Sequence, residues 1–392
     1  MHYYFKKSFL FSILLILLTT ACAGSNNIFP SVPTATDEST VILPNPISVV
    51  ADTTNSQIIV ANSNVDIFFR TGSLAVLSVD ATDANAPILS AAQIMATPNF
   101  AGQLYFDSAN STVYLPFREA STTDLTSDQI KEYSVAAGLV TEVADSTIAN
   151  NPFGITGDSA QIYIVSDTTL SILGLDLSAL ATVDLATASA AGIALTNSTY
   201  AESIALDATH NRAIISNPSA SLFVVDLTTN ALTSVITGPQ STRSLVVDGN
   251  ILYALDPLTS LVWIFDLDQL DAPTTTPGSI DDATFLLDTI PVGSGATGMA
   301  LDTSNQKLYV ANSTDNTISV IDTLTRTEVA RISVAATDLT DYNRGGDSPY
   351  ALTLGTFNGT EYLIATGYTA NSVVLINTTT LKVVAVYPNN TL

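Results

Sequence analysis

Cysteine, histidine and positive charge are all scarce in this sequence. Its 392 residues include one cysteine, two histidines, one tryptophan and three methionines. A single cysteine leaves no intrachain disulfide to staple the fold. His2 lies in the leader, which leaves His210 as the only imidazole in the body. That excludes multi-histidine metal sites, a cysteine nucleophile in the body and, with His210 in the turn "DATHNR", a Ser-His-Asp triad. Charged residues make up 12% of the chain, about half the usual share, and 12 Lys and Arg face 36 Asp and Glu for a net charge of −24. A body this acidic is repelled by phosphate backbones and anionic lipid surfaces, so nucleic acid is not an expected partner.

The one long apolar run is at the N-terminal end. Lys6 and Lys7 form a basic start, Phe9 to Leu18 an apolar stretch, and Ala21, Cys22 and Ala23 a small-residue end. This is a secretory signal, too short to cross a bilayer as a helix. The position of Cys22 resembles the lipobox of bacterial lipoproteins, in which the cysteine is lipidated and becomes the new N-terminus. "TTAC" departs from the commonest pattern, since Thr19 stands where leucine is usual and Leu18 lies one residue earlier. Ordinary cleavage after "ACA" is the alternative. Ala23, directly after the cysteine, resembles an outer-membrane sorting residue. The chain thus divides into a signal peptide (1–21), a lipidated cysteine with a flexible Ser/Thr/Asn/Pro tether (22–40), and a folded body (41–392). The expected location is the bacterial cell envelope, anchored by lipid alone, on the periplasmic or outer side of the outer membrane.

Thr, Ser, Ala, Val, Leu and Asp dominate the body, as many short strands joined by polar turns require. The stretch "GATGMALDTSNQKLYVANSTDNTISVIDTLTRTEVARISV" reads as four strands separated by an Asp turn, a polar turn and a second Asp turn. The same grammar recurs seven times, with the first-turn acid at Asp52, Asp107, Asp158, Asp207, Asp248 and Asp302 and Gly355 in the seventh unit. Asp suits such turns because its carboxylate bonds the local backbone, so this series is read as structural. Four positions before each turn residue stand Ser48, Gln103, Gly154, Ser203, Ser244, Gly298 and Ala351, nearly all small. A small-residue column is what strands crowded around a common axis need, and an open stack has no use for it. Seven four-stranded antiparallel units of roughly 40 to 55 residues imply an all-β, seven-bladed β-propeller. The unit containing "LYVANSTDNTISVIDTLT" closely resembles the YVTN-type repeat, a family of seven-bladed extracytoplasmic propellers. The segment "TVILPN" (Thr40 to Asn45) could close the ring by pairing outside the last blade, although "KVVAVY" already supplies a fourth strand there.

Three long connections, "NVDIFFRTG", "REASTTDLTSDQ" and "AATDLTDYNRGGDSP", fall on the face where each blade begins; "DQLDAPTTTPGSIDDAT" falls on the other. Binding usually resides on long loops carried by a rigid scaffold. Ahead of the small column on the entry face come Ile47, Phe153, Glu202, Arg243, Thr297 and Tyr350, with Phe100 or Gly102 in the second blade. Phe69, Arg70, Arg118, Glu119 and Tyr368 are expected farther out. The candidate ligand or partner residues are therefore Phe69, Arg70, Phe100, Arg118, Glu119, Phe153, Glu202, Arg243, Tyr350 and Tyr368. The plainer account is that Glu202 and Arg243 pair while the aromatics plug the axial hole. No catalytic residue, metal ligand or cofactor is assigned, and the "DD" at Asp281 and Asp282 reads as solvated loop charge. The expectation is a non-catalytic, monomeric envelope propeller that presents this face to a protein, peptide or glycan. The alternative is a periplasmic lactonase-like hydrolase or oxidoreductase with its site at the axial mouth. Anchoring through Cys22 has a direct test: Cys22→Ala protein should leave the membrane fraction, and continued fractionation with membranes contradicts the anchor.

Overall fold

A computed structural model describes residues 43–65, 71–118, 128–148, 151–185, 202–217, 221–270, 278–280, 285–335 and 346–388. Cys22 and the stretches expected to be signal peptide and tether lie outside them. The described residues form seven antiparallel sheets, each built from four strands consecutive along the chain apart from one insertion. Blade 1 spans Pro46 to Thr97, blade 2 Tyr105 to Thr147, blade 3 Ile155 to Asp184 and blade 4 Ile204 to Thr237. Blade 5 runs from Ser244 to Pro291, blade 6 from Ala296 to Ser333 and blade 7 from Pro349 to Tyr387. The chain is a seven-bladed β-propeller.

The Asp turns hold the first hairpin of most blades. In blade 6 the Asp302 carboxylate accepts bonds from the Asn305 amide nitrogen (2.9 Å) and side chain (2.7 Å). Asp107 is bonded in the same way by Asn110, and Asp52 by Asn55 and Gln57. The turn then closes through one left-handed residue, Ser56, Ser111, Asn211 or Gln306, with φ between 51° and 56°. Blade 5 has no room for that turn, so Gly249 (φ 59°) makes a tighter one after Asp248. His210, in the turn after the first strand of blade 4, stands between two carboxylates. Its Nδ1 lies 2.9 Å from Asp207 and its Nε2 3.2 Å from Asp268 of the neighbouring blade.

Each seam between neighbouring blades contains its own apolar cluster. Blades 1 and 2 meet through residues such as Ile59, Leu74, Leu115 and Tyr133, and blades 4 and 5 through Ile214, Val224, Leu252 and Phe265. Five further clusters fill the remaining seams. The first strands interlock around the axis. Ser48 Oγ accepts the Leu104 amide (2.8 Å), and Ser203 Oγ accepts the Leu245 amide (3.1 Å). Thr297 Oγ1 donates within 3.0 Å of the Pro349 and Tyr350 carbonyls. The small-residue column thus has a physical reason: these side chains sit against the backbone of the next blade.

Ring closure does not use strand exchange among the described residues. Blade 7 takes its fourth strand, Lys382–Tyr387, from its own sequence. Leu43 instead packs, fully buried, into the cluster between blades 7 and 1. Asn45, Asn358 and Tyr362 add hydrogen bonds across that seam, to Asn371 Oδ1, Ala81 O and Ala84 O. The expected four strands per blade need one correction. Gly278–Ile280, from the long connection of blade 5, pairs in parallel with the outer strand of blade 4 as a fifth strand. A three-residue parallel addition carries no alternation long enough to register in sequence. Asp281 and Asp282 lie outside the described residues.

The axis sets a sharp steric limit. A Cβ on Gly298 would collide with the Tyr350 carbonyl oxygen, which is backbone and cannot swing away. Gly298→Val should therefore destabilise the protein by about 1–3 kcal/mol or more, read as a lower urea midpoint. An unchanged midpoint would contradict close packing at the axis.

Candidate binding site at the axial mouth

Entry into each first strand brings one side chain to the rim of the axis. Ile47, Phe153, Glu202, Arg243, Thr297 and Tyr350, from six different blades, form the inner tier of an open cavity of about 370 Å³. The turns between second and third strands supply an outer tier of Ser63, Val65, Arg118, Ser313 and Tyr368. Below it, Ser48, Gln103, Ser203, Ser244, Gly298 and Ala351 line a narrower axial cavity of about 210 Å³. Two tiers arise because successive loops of one blade emerge at increasing distance from the axis.

Arg243 spans this mouth. Its Nη2 donates to the Tyr350 hydroxyl at 2.7 Å, two blades away, and its guanidinium lies 5.0 Å from the centre of the Tyr350 ring. Its Nε stands 3.3 Å from Glu202 Oε2. Burial opposes the charge on Arg243, but Tyr350 and Glu202 outweigh that cost and raise its pKa above the ordinary value. Tyr350 in turn stacks on Tyr368, with ring centres 5.4 Å apart. The Arg243 and Glu202 side chains keep 33% and 32% of their surface exposed, so the pair remains open to the cavity.

Across the mouth, the Arg118 guanidinium lies 4.6 Å over the ring of the buried Phe153. Behind it, Asp167 accepts a bond from Asn151 Nδ2 at 2.7 Å, while its Oδ1 is buried without a partner. Burial raises the Asp167 pKa against the opposing effects of Asn151 and Arg118, and Asp128 adds to the rise.

Of the residues expected from sequence, Arg118, Phe153, Glu202, Arg243, Tyr350 and Tyr368 meet around this one cavity. Phe100 does not. It occupies a left-handed turn (φ 58°) whose amide donates to Ser63 O and whose carbonyl accepts from Arg118, outside the cavity lining. Phe69, Arg70 and Glu119 lie outside the described residues. The pairing of Glu202 with Arg243 and the aromatic filling occur together with the cavity rather than in place of it. Sequence reasoning missed Ser63, Val65 and Ser313. Val65 belongs to the connection "NVDIFFRTG" on the entry face but was not singled out within it, and Ser63 and Ser313 lie in polar turns that only their position relative to the axis marks. Among the described residues no group of three or more His, Cys, Asp or Glu side chains is arranged to hold a metal ion.

The comparisons with known proteins bear on the ring alone. Among solved structures, the chain is similar to hydrazine synthase of Kuenenia stuttgartiensis, at 12% identity and a TM-score of 0.61 over 86% of this chain and 96% of that one. It is likewise similar to the WD40 β-propeller domain of Doa1, at 12% identity and a TM-score of 0.60 over 89% and 97%. The shared feature is the fold. No family model and no curated protein matches the chain.

The wall behind Arg118 yields a pH signature. An unfolded aspartate loses its proton near pH ~3.9, whereas half-buried Asp167 holds its proton to higher pH. Its contribution to stability is therefore fully present below the unfolded pKa and lost as pH rises through the folded one. Asp167→Asn cannot ionise, so its melting temperature relative to wild type should climb between about pH 4 and pH 7. A difference that stays constant over that range would contradict the raised pKa.

Proposed function

We propose that this protein is a non-catalytic binding propeller of the bacterial cell envelope. In this reading it is a YVTN-type lipoprotein, tethered through Cys22, that works as a monomer and presents its entry face to an envelope protein, peptide or glycan. The observation that carries the proposal is the convergence of side chains from separate blades on one open cavity at the axial mouth. A rigid ring holds that rim in place, and connections of variable length emerge around it, which is the arrangement of a recognition surface on a fixed scaffold. The chemistry of the rim suits contact more than turnover: two guanidiniums, three aromatic rings and one carboxylate, each already positioned by a neighbour.

Arg243 bridges two sides of the mouth, so its truncation is the informative change. Arg243→Ala protein should remain folded and should capture its envelope partner at least about tenfold more weakly, as expected for a central anchoring arginine. Loss of turnover on a small substrate in the same variant would favour the enzyme alternative. Unchanged capture would place the binding surface elsewhere.

A further inference from the structure

The spare bonding capacity at the mouth points to a ligand class. Resting on the binding reading above, we propose that the cavity takes a zwitterion: a free α-amino acid, whose carboxylate meets Arg243 and whose ammonium meets Glu202. Arg243 commits Nη2 to Tyr350 and Nε to Glu202, and among the described residues Nη1 has no partner. Glu202 commits Oε2 alone, at a long 3.3 Å, and Oε1 has no partner there. One free donor of positive charge and one free acceptor of negative charge therefore stand side by side on the cavity wall. An α-carboxylate and α-ammonium are likewise adjacent and opposite in sign, so a single small molecule can satisfy both.

Charge balance favours a zwitterion over a simple anion or cation. Each guanidinium of the mouth faces a carboxylate: Arg243 has Glu202, and Arg118 lies near enough to Asp167 to lower its pKa. The cavity walls are thus close to neutral, while the whole protein carries −24. A free anion would be repelled by that field on approach, whereas a molecule of zero net charge would not. The Tyr350–Tyr368 stack and Phe153 offer an apolar surface for the remaining side chain, so an apolar or aromatic amino acid fits best.

Calorimetric titration of the full-length protein with L-phenylalanine, its amide, its N-acetyl derivative and N-acetylphenylalanine amide tests this. L-Phenylalanine should bind, and removing either charge should weaken binding at least about tenfold, because each end loses a charge-assisted bond. Glu202→Gln should weaken the free amino acid by a similar factor but should not weaken the N-acetyl derivative, whose carboxylate meets an Arg243 relieved of its counter-charge. Equal affinity for the doubly capped compound would overturn the proposal in favour of a neutral amide. Binding of N-acetylphenylalanine or glucuronate as tightly as the amino acid would overturn it in favour of a simple carboxylate. The wild-type ligand series is decisive even if a variant fails to fold. No binding of L-phenylalanine, combined with lost partner capture by Arg243→Ala, overturns the ligand class and leaves the binding-platform reading standing. Amino-acid binding with partner capture unaffected supports the ligand class and places the partner surface elsewhere on the protein.

Discussion

The structure depends on packing between the faces of neighbouring blades. A lone four-stranded sheet exposes two faces, and each blade here covers both by lying between two others. The seven apolar clusters are seam clusters, each shared by two blades. A fully buried Leu, Ile or Val contributes about 1.5–3 kcal/mol, so one seam with several such residues outweighs the hydrogen bonds that cross it. Hydrogen bonds between first strands, such as those accepted by Ser48 and Ser203, set the spacing at the axis. The seams supply the stability.

That constraint also creates the mouth. Blades packed face to face converge at the axis, where their first strands need small side chains. One residue earlier the chain is leaving the crowded zone, and Phe153, Arg243 and Tyr350 become admissible. The chemistry of the rim is therefore a by-product of geometry: large polar and aromatic groups stand where the ring first has room for them. In a body with so few cations, Arg118 and Arg243 both line this space, each balanced by a carboxylate at the wall.

Much of the ring was legible from sequence because its signals are periodic. The Asp turns recur with their capping partners, Asn55, Asn110 and Asn305 among them, and the small column from Ser48 to Ala351 repeats at fixed register. Features that occur once were harder to read. The fifth strand, Gly278–Ile280, sits in a Pro/Thr-rich connection and pairs with a different blade. Phe100 follows the column in sequence, but its left-handed backbone turns it away from the cavity. His210 occupies a local polar turn, but its second carboxylate neighbour, Asp268, comes from the next blade. In each case the deciding partner is remote in sequence, so no local pattern encodes it.

Six of the seven seams are crossed by the chain as it passes from one blade to the next. The seam between blades 7 and 1 has no such connection, and it is also where the described chain starts and stops: Leu43 and Tyr387 belong to the same cluster. The ring is in effect a bracelet with a clasp, held by side-chain packing and by hydrogen bonds that include those of Asn45, Asn358 and Tyr362. Its two ends meet, so a pull on the N-terminal segment loads the clasp before any other seam. Mechanical strength is then set at that one joint, whatever the stability of the other six.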